Sequence, residues 1–469
     1  MIAGDIGTTH AVVWSRCDRP AAMLVEWSAG GVTRRVVGPV VGPETDFTGR
    51  VHLQDLPPGR PIDYTVRFQD LTDPRILSAP AHGRLRTAPD TPRDFTLLWS
   101  GDTAGQGWGI DPAHGGMLTY ASMLARDPDL FVHCGDLIYA DNPIPAELPL
   151  PGGGVWRNRT LAGRDKVAET LDEFRLAYRY NLLDDHYRRF HAAVPAVFAW
   201  DDHEVLNNWY PGERLTDPRY REPDVSRLAE RARQAFRDYT PILAPTIHRV
   251  VRCGPLVDLF VLDMRSFRGP NTPGLEDIPS DTTAFLGRAQ VEWLIDALRT
   301  SRARWKILVA DQPLGLVVPD DGAIEALANG DDGPPRGREL ELAALLSALR
   351  RAGLSDLVWI TADVHYAAAH RYDPARARTL DFDPFWEFVA GPLHAGTFGP
   401  QPLDPTFGPE VRFQRAPPPG EANLPPSAGL QFFGEINAPA RGPLRVTLRD
   451  RLGEALWSTE IEPATRTGT

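Results

Sequence analysis

A layered α/β fold led by an all-β segment is what the sequence predicts, and three observations carry the prediction. Six apolar stretches each deliver an acid at the carboxyl end. Residues 95–99 run into Asp102, 130–132 into Asp136, and 196–200 into Asp201 and Asp202. Residues 256–262 run into Asp263, 306–310 into Asp311, and 357–361 into Asp363. Between these stretches lie segments whose apolar residues recur at helical spacing, the alternation of an α/β core. The first 90 residues lack that alternation: short apolar runs return there every ~8–14 residues between Pro/Gly turns, as in a small β-sandwich.

The chain's 469 residues suffice for two to three domains at the usual ~150 residues each. The linker Thr87-Ala88-Pro89-Asp90-Thr91-Pro92 divides an N-terminal β-sandwich domain over 1–90 from a larger domain over 91–469. A net charge of −12 argues against a nucleic-acid-binding domain, which would carry a basic stripe. No stretch reaches the ~18 apolar residues of an integral membrane segment. No signal peptide opens the chain, yet its first strand begins so near Met1 that an upstream segment, such as an export signal, is expected. Pro stands at about twice its usual ~5% share, which fits long structured loops over a sheet scaffold. Cys17, Cys134 and Cys253 form no CxxC and no even set, so no disulfide framework is predicted.

In chain order, strands are predicted at 11–15, 23–27, 33–37, 49–53 and 62–68. Helices follow at 113–126, with Met117, Tyr120, Ala121 and Leu124 on one side, and at 166–191, with Val167, Leu171, Phe174 and Tyr178. Three more are predicted at 224–239, 284–299 and 338–352, the last carrying Leu342, Leu345, Leu346 and Leu349 on one face. Long loops at 142–158, 264–282, 313–337 and 391–429 intervene, and loops of that length in a compact domain are usually functional. Two strands, at 444–448 and 454–460, close the chain.

The strand-end acids point to chemistry. In layered α/β folds the ligand site lies outside the carboxyl ends of the strands, so several of these acids are expected to converge. Carboxylates crowded into one pocket repel one another unless a cation sits between them. The expected site is therefore a metal centre. Tyr139 follows Asp136 by three residues. A phenol whose pKa is near ~10 binds as phenolate only to a strongly acidic cation, which favours trivalent iron over zinc. With Asp102 and the imidazole of His365, the first site becomes Asp102, Asp136, Tyr139 and His365. The second shares Asp136 and adds Asp202 and Asp363, an oxygen-rich set suited to Ca²⁺, Mg²⁺ or Mn²⁺. Four carboxylates and one phenolate balance one trivalent and one divalent ion.

These residues also carry a family resemblance. Gly101-Asp102-Thr103, Gly135-Asp136-Leu137-Ile138-Tyr139, Trp200-Asp201-Asp202-His203-Glu204 and Asp363-Val364-His365 resemble, in order, the signature blocks of the PhoD-like (alkaline phosphatase D) family. That family is a branch of the calcineurin-like metallophosphatases. The segments 262–268 and 387–392 resemble further blocks, so the similarity covers nearly the whole chain. The resemblance implies the four-layer metallophosphatase sandwich, two β-sheets flanked by helices, with an N-terminal all-β Ig/fibronectin-like sandwich. It implies hydrolysis of phosphate esters, monoesters and diesters alike, with Fe³⁺ and Ca²⁺ as metals, the second replaceable by Mn²⁺, Mg²⁺ or Zn²⁺. It also implies an extracytoplasmic location. Three positions depart from related metallophosphatases. Asp202 fills a slot usually held by Asn, Asp363-Val364-His365 stands where His-x-His is usual, and Asp311 or Gln312 stands where a further His is expected. Some PhoD-like enzymes carry Cys at the position of Asp102.

The expected mechanism is in-line attack on phosphorus by a metal-bound hydroxide, with the cations screening the phosphoryl oxygens. His203 is the expected catalytic residue, protonating the leaving oxygen, with Asp201 or Glu204 orienting it. Arg265 and Arg268 are expected to reach the phosphate of the substrate from their loop. Asp263 and Asp311 read as structural, His394 as a surface histidine, and Trp156, Trp209 and Phe398 as aromatics either lining the mouth or packing beneath loops. Two alternatives stand beside the phosphatase reading: a phospholipase D-like hydrolase of phospholipid headgroups, and a non-catalytic binding protein stabilised by metals.

Overall fold

Strict alternation of side chains along each central strand builds the layers. Leu97, Trp99, Val132 and Val197 point into one buried cluster, while their neighbours Leu98, Phe131 and Phe198 point into another. Leu259, Ile307 and Ile360 join the first cluster from the opposite side, and Phe260, Leu308 and Trp359 turn outward into a third. Period-two alternation with both faces apolar requires cover on both faces of each sheet. The computed structural model, which describes residues 1–464, meets that requirement with two sheets packed face to face and helices outside each.

The first sheet has nine strands in the order Ala455–Ile461, Leu444–Asp450, Phe432–Ala438, Phe95–Ser100, Leu130–His133, Ala196–Phe198, Ile2–Gly4, Ala11–Arg16 and Thr48–Leu53. The second has seven: Arg249–Arg252, Val257–Val261, Trp305–Val309, Leu357–Thr361, Phe385–Val389, Ala367–Tyr372 and Pro409–Arg415. Helices Leu118–Leu124, Leu171–Asn181, Asp185–Ala193 and Val225–Tyr239 supply buried residues to the cluster outside the first sheet. Arg288–Thr300 and Glu339–Arg351 do so outside the second.

Several sequence expectations change here. The single helix expected over 166–191 is two, because Asp184 interrupts it. Its carboxylate accepts the N–H groups of His186 and Tyr187 and so caps a new helix, while also holding the N–H of Met117 at 3.0 Å. The 391–429 loop contains the edge strand Pro409–Arg415. Within the first 90 residues, four strands (Val32–Val41, Ala21–Ala29, Pro61–Asp70 and Ala81–Arg86) make a sheet of their own. Ile2–Gly4, Ala11–Arg16 and Thr48–Leu53 instead extend the nine-stranded sheet, Gly4 pairing in parallel with Ala196. No helix among the described residues is long and apolar enough to cross a membrane.

Candidate metal centre

The six acid-bearing strands divide evenly, three to each sheet, and within each sheet they run parallel. Donors from both sheets meet just past the carboxyl ends. The turns that present them are strained: Asp102 (φ 65°), Asp136 (φ 55°), Asp363 (φ 68°) and His365 (φ 61°) all adopt left-handed backbone. Such residues cost about 1–3 kcal/mol each and persist only where their surroundings hold them. Here the N–H of Asp102 donates to Gly135 O at 3.2 Å, that of Thr103 to Asp136 O at 2.8 Å, and that of His394 to Asp102 O at 3.0 Å. Glu204, wholly buried, accepts the N–H groups of Asp136, Leu137, Ile138 and Asp201 and so clamps two of the turns together. Gly391 passes so close that a Cβ there would lie 2.1 Å from Asp102 Oδ2.

Three overlapping groups of donors result. Ligand atoms of Asp102, Asp136 and His365 lie within 4.8 Å of one another, as do those of Asp136, Asp202 and His203, and those of Asp201, Asp202 and Asp363. Tyr139 joins the first group through its hydroxyl, 2.9 Å from His365 Nε2. His365 is oriented from behind, its Nδ1–H donating to Gly396 O at 2.5 Å, so that Nε2 presents its lone pair to the site. Asp202 accepts the N–H of His203 on one oxygen (2.9 Å) and that of Asn208 on the other (2.7 Å). Both oxygens of Asp102 are buried with no hydrogen-bond partner. A buried carboxylate without donors demands a proton or a cation. The hard oxygen donors, the imidazole and the adjacent phenol fit a metal ion there.

Electrostatics repeat this need. Burial, reinforced by neighbouring acids, pushes the Asp102, Asp136 and Asp363 carboxyls well above their usual range. The Tyr139 phenol rises well above its ordinary value through burial and the Asp136 and Asp102 charges. Burial pushes Glu204 up to about 8 and holds His365 neutral, down to about 4. His203 behaves oppositely. Burial opposes its charge, but Asp141, Asp202 and Asp136 overcome it and raise its pKa well above the usual imidazole value. Asp141 is the partner missed in the sequence: its Oδ1 lies 2.7 Å from His203 Nδ1, and its Oδ2 accepts the Asn207 N–H at 3.1 Å. It sits two residues past Tyr139 in the same turn, the one signal that pointed to it. Asp201 and Glu204, expected to orient His203, are engaged elsewhere, Asp201 with Arg265 and Glu204 with backbone.

Arg265 and Arg268 are placed differently from the substrate contact expected of them. Both side chains are fully buried, and Glu325 pairs with both. Arg265 also lies 2.5 Å from Asp201 Oδ1 and 3.1 Å from Asp311 Oδ2. Burial closes both guanidinium groups to a phosphate arriving from solvent. Glu325 lies in the expected loop 313–337 with nothing in the sequence to mark it. Asp263 accepts Trp200 Nε1–H at 2.9 Å, a packing role. His394 is buried instead of exposed, its ring 2.8 Å from Gly109 O. Trp156 and Trp209 are buried packing residues, while half-buried Phe398 stands edge-on to His365 at 5.4 Å. A cleft of about 960 Å³ lined by His10, His52 and Arg249 includes none of the candidate donors.

Residues 97–447 match the PhoD-like phosphatase family and residues 1–89 match the N-terminal domain of PhoD-like phosphatases. Alkaline phosphatase D of Bacillus subtilis (strain 168) is 29% identical over 268 residues, which span 54% of this chain and 44% of that protein. The chain thus spans less than half the length of that relative. A solved structure of PhoD superposes with a TM-score of 0.71 at 18% identity, covering 100% of this chain and 92% of that one. The purple acid phosphatase PPD1 from yellow lupin (Lupinus luteus) seeds gives 0.59 at 13% identity, covering 99% and 74%. The two solved structures share the metallophosphatase fold with this chain. With a family match running through every strand that bears a candidate donor, the chain belongs to the PhoD-like phosphatase family.

Proposed function

We propose that this chain is a metal-dependent phosphoric ester hydrolase acting on phosphomonoesters and phosphodiesters. The observation that carries the reading is Asp102, a buried carboxylate with both oxygens unpartnered beside Asp136, Tyr139 and His365. Asp102, Asp136, Tyr139 and His365 would hold Fe³⁺, because a phenol this resistant to ionisation yields its proton only to a strongly acidic ion. Asp136, Asp202 and Asp363 would hold Ca²⁺, or Mn²⁺, Mg²⁺ or Zn²⁺ in its place. When bound, the ions supply positive charge for the phosphoryl oxygens and a water acidic enough to attack phosphorus.

The chain's own residues supply the rest. His203, protonated through its bond to Asp141, presents its other nitrogen as the acid for the leaving oxygen. Its main-chain N–H, donating to Asp136 and Asp202, ties the acid to the donors, so both are positioned by one turn. The tilted Tyr139 and His203 rings, their centroids 4.3 Å apart, limit the motion of that acid. Residues 91–469 carry this machinery, with 1–90 as a buttress.

Turnover of a chromogenic phosphomonoester beside its diester, with elemental analysis of the same preparation, tests the proposal. Hydrolysis of at least one ester, lost on metal removal, is expected. Metal-bound protein that cleaves neither would overturn it in favour of a binding protein.

A further inference from the structure

One guanidinium lies at the centre of the seam between the two sheets. Arg265 follows the strand Val257–Val261 and is fully buried. Its Nε donates to Asp201 Oδ1 at 2.7 Å and to Asp311 Oδ2 at 3.1 Å. Its Nη1 pairs with Glu325, and its Nη2 lies 3.7 Å from Asp363 Oδ1. Asp201 comes from the nine-stranded sheet, Asp311 and Asp363 from the seven-stranded one, and Glu325 from a loop between them. Asp201 and Asp363 also share a donor group with Asp202.

We propose that Arg265 is a positioning residue for the second ion: it holds Asp363 against Asp201 across the sheet seam and so sets the spacing of the donor group Asp201, Asp202 and Asp363. The inference rests on the metallohydrolase reading. A planar fork with five donors can satisfy several carboxylates at fixed angles, whereas a lysine ammonium offers the same charge without that geometry. The first donor group has supports of its own. Asp102, Asp136, Tyr139 and His365 are held by backbone groups of residues 135, 136, 394 and 396 and by Glu204, and none of their recorded hydrogen bonds runs to Arg265. Asp363 is also the least enclosed of the acids, its side chain 15% exposed, so its orientation depends most on its neighbours. Arg265 therefore bears directly on one ion and reaches the other only through shared neighbours.

Metal binding without substrate is the test. Ca²⁺ is titrated calorimetrically into chelator-treated protein, and iron is counted by elemental analysis. Arg265→Lys is expected to keep its iron and to bind Ca²⁺ at least ~10-fold more weakly. Its turnover should fall at limiting Ca²⁺ and recover at saturating Ca²⁺, a rescue that a merely structural lesion would not show. Unchanged Ca²⁺ affinity, or loss of iron and Ca²⁺ together, overturns the proposal. Should Arg265→Lys not fold, the double variant Arg265→Gln/Asp311→Asn removes one buried charge of each sign and is read in the same way; failure of both to fold overturns it. Wild-type protein that binds neither ion removes the hydrolase reading itself, whereas wild type binding both beside an unaffected Arg265→Lys removes this inference alone.

Discussion

In the proposed mechanism, Asp141 and His203 form the pair on which the proton chemistry turns. Asp141 helps hold His203 protonated, so Asp141→Asn should lower the imidazole pKa and move the alkaline limb of the kcat profile to lower pH. Outer partners of this kind typically cost about 10–100-fold when lost, and metal content should stay unchanged. An unshifted limb would exclude Asp141 from this role. By the same logic His203→Ala keeps its metal and loses about 10²–10⁴-fold in rate, while Asp136→Asn loses metal and activity together, which elemental analysis beside turnover distinguishes. The strand-end acids were legible in the sequence because an acid after an apolar run has few structural reasons to be there. The task of Arg265 was not: an arginine in a loop reads as a free cation until the fold shows four carboxylates around it. The left-handed backbone at Asp102, Asp136, Asp363 and His365 was equally invisible, since no glycine marks those positions.

Among the elements, the helix Glu339–Arg351 opens on a residue that senses pH. Glu339 is 1% exposed and hydrogen-bonds to Asn329 and to the Arg336 N–H, and burial together with the nearby Asp404 pushes its pKa up to about 8. An unfolded glutamate titrates near ~4.3, so between about pH 4.3 and 8 the folded chain holds a proton that the unfolded chain has released. This group therefore makes stability fall as pH rises through that window. Glu339→Gln should flatten the decline, measured as thermal midpoint against pH; parallel curves for variant and wild type would contradict it. The helices that carry strong apolar periodicity, such as Val225–Tyr239 and Glu339–Arg351, were legible within a residue or two. The interruption at Asp184 was not, because a capping aspartate inside a continuous periodic pattern looks like an ordinary polar position. Pro409–Arg415 escaped notice for a related reason: as an edge strand it buries only part of one face, and its alternation rests on Val411 and Phe413 alone.

At the scale of the molecule, the sequence suggested a small sandwich joined by a linker, while the hydrogen bonding joins the first 90 residues to the rest. Three of their strands continue the nine-stranded sheet, Trp14 donates its Nε1–H to Asp238 O at 2.7 Å, and Asp5 pairs with Arg249 at 2.9 Å. Met23, Trp27 and Tyr64 share one buried cluster with Trp99, Ile307 and Phe388. A chain beginning at residue 91 would leave Ala196–Phe198 as an unpaired edge beside exposed core, a route to aggregation. It should lose cooperative thermal unfolding and precipitate, and a soluble, active truncation would show the two parts to be independent. Donors from both sheets are proposed to close on two ions. Elemental analysis of the purified, active chain tests this most directly. Two metal ions per chain, one of them iron, are expected, with Asp102→Ala losing the iron; full turnover by a chain stripped of all metal would refute the two-ion reading.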